Sequence, residues 1–204
     1  MKTLIGNILK NVLSAFYPSF AISLLIAAMA MYFYLFSTMG SEAGKGWKNS
    51  IKVWTKLFIS DVQFRRLYVL AVYGAMILNR TLVNRSLTAN PLAEVWGSWG
   101  IYRENPSTGE LMLTTESIEN LMLFAPFIFL LLLVKYTDDK KINFGSCFKQ
   151  GLLIGAKLSF AIEFTQLFLR VGSFQLSDLF YNILGAGIGG VAFFLMIKIK
   201  QVCK

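Results

Sequence analysis

The residues best suited to chemistry in this sequence are Glu163, Gln166 and Arg170, which interrupt a long apolar segment. Their spacing of three and then four residues places all three side chains on one face of an α-helix, which has about 3.6 residues per turn. At a rise of about 1.5 Å per residue, Glu163 lies about 10 Å from the level of Arg170. If the segment spans a membrane, a carboxyl at that depth must be paired, protonated or hydrated. The stripe therefore predicts a polar site inside a membrane protein.

A second polar pair, Asp178 and Asn182, follows after a short turn. Ser177 is predicted to cap the helix that carries them, and the spacing of four residues places both on one face. Gly185 and Gly189 continue that face, and small residues at this spacing let another helix backbone approach closely. We therefore expect the last two helices to form a tight hairpin with their polar faces together.

Several other kinds of site are excluded by composition. The chain has no histidine, which removes imidazole as a general base or metal ligand. Its two cysteines, Cys147 and Cys203, provide neither a disulfide framework nor a thiolate metal cluster. We predict no bound metal and no other cofactor, so any chemistry must come from carboxylates, Lys, Arg, hydroxyls or amides.

The elements that position these residues are predicted to be membrane-spanning helices. The chain of 204 residues is 55% hydrophobic and only 15% charged, which excludes a soluble monomer. A helix needs about 20 apolar residues to cross the hydrocarbon core. Five blocks approach that length, at residues 19–36, 67–83, 121–134, 148–169 and 179–197. Since these blocks do not alternate apolar and polar residues, we predict an all-α integral membrane bundle of five transmembrane helices.

Two amphipathic stretches flank the first block. Residues 4–16 either lengthen the first span or lie in the membrane interface. Residues 51–64 place apolar side chains among Lys52, Lys56 and Asp61, which predicts a helix lying on the inner membrane surface.

Basic residues are distributed unevenly over the connections between spans. Residues 37–66, residues 135–149 and the C-terminal tail together carry thirteen Lys and Arg, whereas the opposite side carries six. Because cytoplasmic loops retain positive charge, the N-terminus is predicted outside and the C-terminus inside. The net charge of +9 then lies on the cytoplasmic face, where anionic membrane lipids are the expected partner. Nucleic acid is not expected, since no nucleic-acid-binding motif accompanies the charge.

The polar residues within the spans have two interpretations. Gln166 and Asn182 taken alone are equally typical of side chains that join membrane helices by hydrogen bonds. Glu163, Arg170 and Asp178 together favour a functional site, because ionisable groups inside a span are costly and usually mark one.

These residues, read as E-x-x-Q-x-x-x-R, a short turn and D-x-x-x-N-x-x-G, resemble the signature of the VanZ-like membrane proteins. The segment Asn120 to Pro126 resembles that family's N-x-x-L-F-x-P motif at the start of a span. Asn90, followed by Pro91, lies where the family has an Asn-containing extracellular loop motif. The resemblance implies that Asn120 and Asn90 belong to the same site as the signature residues.

The resemblance covers residues 67–198, predicted as a four-helix VanZ-like membrane domain. Residues 1–66 are then an N-terminal anchor helix with a basic cytoplasmic amphipathic loop, and residues 199–204 are a cytoplasmic tail. The resemblance implies a multi-pass protein of the bacterial plasma membrane, linked to low-level resistance to glycopeptide antibiotics, teicoplanin more than vancomycin. It implies no established reaction, and the catalytic residues, if any, are unknown.

The first functional hypothesis is binding without reaction. An outer-leaflet polar pocket would hold an anionic or lipid-linked cell-envelope component, such as a cell-wall precursor, or alter access of the glycopeptide antibiotic itself. Arg170 would clamp a phosphate or carboxylate, held in place by Glu163 and Asp178, while Asn120 and Asn182 supply amide contacts.

Two further hypotheses stay open. One is that the protein is a membrane enzyme acting on a lipid-linked envelope substrate. Glu163 would then act as general acid or base, or pair with Asp178 to hold a hard cation, although neither Ser173 nor Ser177 has a nearby base in sequence to make it a nucleophile. The other is that the protein is a small lipid transporter. Five spans without an internal repeat favour that function only in a homodimer.

Overall fold

The computed structural model describes residues 2–40, 46–105, 108–136 and 142–203. The elements in these residues, in chain order, are α1 (Lys2–Met39), α2 (Trp47–Ser60), α3 (Val62–Leu78), β1 (Tyr102–Glu104), β2 (Leu111–Leu113), α4 (Glu116–Lys135), α5 (Phe144–Leu169) and α6 (Leu176–Val202). A π-helical turn, Asn79–Val83, continues α3. The strands β1 and β2 pair antiparallel in a small hairpin, so the fold is helical with one addition that the sequence did not predict.

Five of the described helices are long and apolar enough to cross a membrane, which confirms the predicted number of spans. They are α1, α3 with its π-helical turn, α4, α5 and α6. α1 continues without a break through Pro18, so the N-terminal amphipathic stretch lengthens the first span. α5 begins at Phe144 because the side chain of Asn143 accepts a hydrogen bond from the Ser146 N–H at 2.6 Å.

The basic connection after α1 contains α2, which starts earlier than predicted and ends at Ser60. Asp61 separates it from α3, because the Asp61 carboxylate accepts the Gln63 N–H at 2.7 Å and caps the new helix. The ring of Trp54 on α2 packs against Phe64 of α3, with centroids 5.8 Å apart. The apolar face of α2 is therefore fixed to the bundle.

α6 lies between α4 and α5 and packs closely on both. A side chain at Gly185 or Gly189 would collide with the backbone of α4. On the neighbouring face, a Cβ at Gly151 of α5 would lie 2.5 Å from the Ala186 carbonyl oxygen of α6. From the sequence, the Gly185 face was expected to pack on α5. That expectation is wrong, because α6 has two small-residue faces and α4 takes the one that carries Gly185.

The connections at one end of the bundle, here called the loop end, are residues 84–115 and 170–175. Backbone hydrogen bonds join them: the Gly172 N–H donates to the Ser86 carbonyl at 3.0 Å, and the Leu176 N–H donates to the Val95 carbonyl at 2.8 Å. Asn11 of α1 reaches the same end and donates from its amide to the Thr115 hydroxyl at 3.4 Å. The long loop is thus folded onto the helix ends and can present side chains to a site.

Candidate functional site

A polar cavity of about 650 Å³ opens at the loop end. It is lined by side chains from the end of the π-helical turn, the long loop and the starts of α4 and α6: Arg80, Asn84, Arg85, Arg103, Asn105, Met112, Leu113, Thr114, Thr115, Glu116, Glu119, Asn120, Gln175 and Asp178. Three arginines and three acids make this lining strongly charged. We call it the loop-end cavity.

Arg80 forms one wall of the loop-end cavity from the π-helical turn, a wide turn of a kind often found at functional sites. Its guanidinium makes an ion pair with Glu119, whose other carboxylate oxygen accepts the Thr115 hydroxyl at 2.6 Å. The same guanidinium lies 5.7 Å from the centre of the Phe16 ring of α1. Arg80 is therefore held in place by Glu119 and the Phe16 ring, and Glu119 is itself held by Thr115.

Arg85 has a different environment from the other two arginines that line the cavity. Arg103 makes an ion pair with Glu94, whereas Arg85 makes no ion pair with any residue that the structure describes. Arg85 lies near enough to Glu163 and Asp178 for its charge to act on both carboxyls. It is thus the cation best placed to meet an anionic ligand.

Glu163 and Gln166 are both 2% exposed on the inner face of α5, as their spacing predicted. One carboxylate oxygen of Glu163 accepts the Gln175 backbone N–H at 3.1 Å. The amide of Gln166 donates to the Thr81 carbonyl in the π-helical turn at 2.7 Å. Both side chains therefore bind backbone segments near the cavity, but neither side chain lines it.

Asp178 and Asn120 both line the loop-end cavity, and the Asn120 side chain interacts with the Asp178 carboxyl. Asn182 lies deeper, where its amide donates to the Ser159 hydroxyl of α5 at 3.0 Å. Its side-chain oxygen is buried and accepts no hydrogen bond from the residues described. The prediction that Ser177 caps α6 is wrong: α6 begins at Leu176, so Ser177 lies inside the first turn.

Arg170 and Asn90 lie outside the lining of the cavity. The prediction that Arg170 continues the helical stripe is wrong, because α5 ends at Leu169 and Arg170 adopts a left-handed conformation with φ 53°. Its side chain is exposed, and its carbonyl accepts the Thr88 N–H at 2.8 Å. Asn90 is exposed too and uses its side-chain oxygen to accept the Leu92 N–H at 3.2 Å, which stabilises a turn.

Arg80, Arg85 and Glu119 are site residues that were not predicted from the sequence. A signal was present for Arg80 and Glu119, since each is an ionisable residue at the edge of an apolar block. Arg85 had no such signal, because it lies in a loop where spacing does not determine which way a side chain points.

A comparison with known protein families identifies the family of this chain. A family model described as VanZ/LLP1 matches residues 16–197, a range that begins in α1 and so includes α2 as well as the helices that carry the site. No curated protein and no solved structure matches the chain. Membership of this family fits a multi-pass membrane protein linked to glycopeptide resistance. With the matched range covering most of its length and the VanZ-like signature residues gathered at one end of five apolar helices, the chain belongs to the VanZ/LLP1 family.

Proposed function

We propose that the protein binds an anionic, lipid-linked component of the bacterial cell envelope in the loop-end cavity and thereby confers low-level resistance to teicoplanin-type glycopeptides. The observation that carries this proposal is the cavity of about 650 Å³ in which Arg85 has no ion pair with a described residue. A guanidinium binds phosphate or carboxylate through two parallel hydrogen bonds, which makes it the natural anchor for such a ligand.

The residues around Arg85 have different roles in binding the ligand. The charges of Asp178 and Glu163 act on the Arg85 guanidinium, and Asn120, which also lines the cavity, offers an amide to the ligand. The ion pair between Arg80 and Glu119 shapes the remaining wall. An anionic headgroup entering this cavity meets the Arg85 guanidinium, which makes no ion pair with a described residue.

In this proposal the loop-end cavity lies at the outer leaflet, on the side where glycopeptides act, as the distribution of basic residues predicts. Ala89 is exposed on the long loop and Cys203 is exposed at the opposite end, while Cys147 is buried. In intact cells that produce the Ala89→Cys variant, an impermeant thiol reagent is expected to label the introduced thiol alone, and Cys203 only after permeabilisation. A Cys203→Ser background identifies the labelled position. Labelling of Cys203 with protection of the introduced thiol would invert the orientation.

A second candidate function is favoured by the burial of Glu163 directly behind the cavity. A carboxyl that is 2% exposed and close to both Asp178 and Arg85 has the surroundings of a general acid or base. The protein would then be an enzyme acting on the lipid-linked component that it binds. Binding and reaction share one ligand, so a single measurement separates them.

Native mass spectrometry of the purified protein is that measurement. A co-purified anionic, lipid-linked species is expected on the parent protein and is expected to be lost from the Arg85→Gln variant, which keeps a polar side chain but removes the charge. A ligand that leaves chemically changed after incubation would establish the enzyme. Finding no anionic species, or an equal amount on the Arg85→Gln variant, would contradict the proposed binding site.

A further inference from the structure

An apolar groove of about 280 Å³ lies between α3, α4 and α5, at the depth of the spans. Ile77 and Leu82 line it from the α3 side, Phe124 from α4, and Ala161 and Ile162 from α5. α4 and α5 make few direct contacts, and the groove lies between these two helices and α3. Hydrocarbon chains are the medium around apolar helices in a membrane, so the groove has the right surroundings to accept one.

The groove begins one helical turn from the loop-end cavity on two separate helices. On α4, Asn120 lines the cavity and Phe124, four residues later, lines the groove. On the α3 side, Arg80 lines the cavity and Ile77, three residues earlier, lines the groove. Side chains at these spacings are neighbours on a helix surface, about 5–6 Å apart between their Cβ atoms. A charged compartment thus lies about one helical turn from an apolar one.

We infer that the ligand is a lipid with an anionic phosphate headgroup, bound with its phosphate at Arg85 in the loop-end cavity and one hydrocarbon chain in the groove between α3, α4 and α5. This inference rests on the proposed function and adds the class of ligand and the position of its chain. A small soluble anion would fill the cavity and leave the groove unused. The juxtaposition of the two compartments matches the two halves of one amphipathic molecule.

The hydrocarbon chain of the lipid contributes more to the orientation of the ligand than to its affinity. A lipid chain leaves one hydrocarbon environment for another when it enters the groove, so the hydrophobic effect adds little, and the gain comes from closer packing. Each pair of apolar heavy atoms in contact contributes about 0.1–0.2 kcal/mol, so the loss of several such contacts corresponds to a change in affinity of about fivefold. Blocking the groove should therefore weaken lipid binding measurably without abolishing it.

The test compares two alanines that are both exposed on spanning helices. Ala161 lines the groove on α5, and Ala192 on α6 does not. The full-length protein in detergent is titrated with dioleoyl phosphatidylglycerol and with dioleoyl phosphatidylcholine, and bound lipid is counted by native mass spectrometry. Ala161→Phe is expected to weaken phosphatidylglycerol binding about fivefold. Ala192→Phe is expected to bind as the parent does, and both variants should melt at the parent temperature.

The Arg85→Gln variant separates failure of this inference from failure of the proposed function. It should remove the preference for phosphatidylglycerol over phosphatidylcholine, because both lipids have the same chains and differ in headgroup charge. If Arg85→Gln removes the preference while Ala161→Phe binds as tightly as Ala192→Phe, the groove does not hold the chain and the inference is overturned. If Arg85→Gln retains the preference, the proposed anionic site is itself wrong, and the inference with it.

Discussion

The Arg85→Gln variant is expected to lose glycopeptide protection completely while accumulating in the membrane at the parent level. Hydrogen bonds to a charged group contribute about 1.5–3 kcal/mol each, so the loss of even one of them should weaken binding of an anionic headgroup by about 10- to 150-fold. Arg85 lines the cavity and makes no ion pair with a described residue, so its loss leaves few internal contacts broken. The measurement is the minimum inhibitory concentration of teicoplanin, with protein amount checked by immunoblot.

Arg170 offers a matched control for this substitution. Arg170 is the cation that the sequence spacing predicted to bind the anionic ligand. Its side chain lies beyond the end of α5, is exposed and does not line the cavity. Arg85 is exposed as well, so the lining of the cavity is what distinguishes the two arginines, and Arg170→Gln is expected to protect cells within about twofold of the parent. If Arg170→Gln abolishes protection and Arg85→Gln does not, the assignment made from spacing is correct and the one made from the cavity is not.

The difference between these two arginines shows how far sequence reasoning can reach. Spacing determines which side chains share a face only while the helix continues, and α5 stops one residue before Arg170. Glu163 and Gln166 lie well inside the helix, so their inward direction was predictable. Arg85 reaches the cavity only because the long loop is bonded to the turn between α5 and α6, as in the hydrogen bond from Gly172 to Ser86. Such long-range contacts leave no periodic pattern.

The same limit applies to the fold. The five spans followed from apolar length, because the cost of burying polar backbone in hydrocarbon forces helices of that length. The apolar length did not predict which helix packs against each helix face. Gly185 and Gly189 predicted that another helix packs closely on α6, but either α4 or α5 could have been that helix. The choice of α4 brings Asn120 within reach of Asp178 and so helps to build the loop-end cavity.

The Glu163→Gln variant is expected to insert and melt like the parent but to lose antibiotic protection. Glutamine has nearly the same size, and its side-chain oxygen can still accept the Gln175 N–H that Glu163 accepts at 3.1 Å. The link between α5 and α6 should therefore survive. The substitution removes the negative charge that acts on Arg85 from behind the cavity, and an amide cannot exchange a proton with a ligand. Thermal melting in detergent and teicoplanin susceptibility measure the two effects separately.

Two further variants assign the effect to the carboxyl at this position. Glu110 is an exposed acid at the loop end that does not line the cavity, so Glu110→Gln should leave protection unchanged. Glu163→Leu removes the acceptor of a buried N–H and should cost about 1–3 kcal/mol of stability, which Glu163→Gln avoids. Full protection with Glu163→Gln, together with destabilisation by Glu163→Leu, would show that Glu163 serves only as a hydrogen-bond acceptor for the α5–α6 turn. Both the orienting role and the acid–base role would then be excluded.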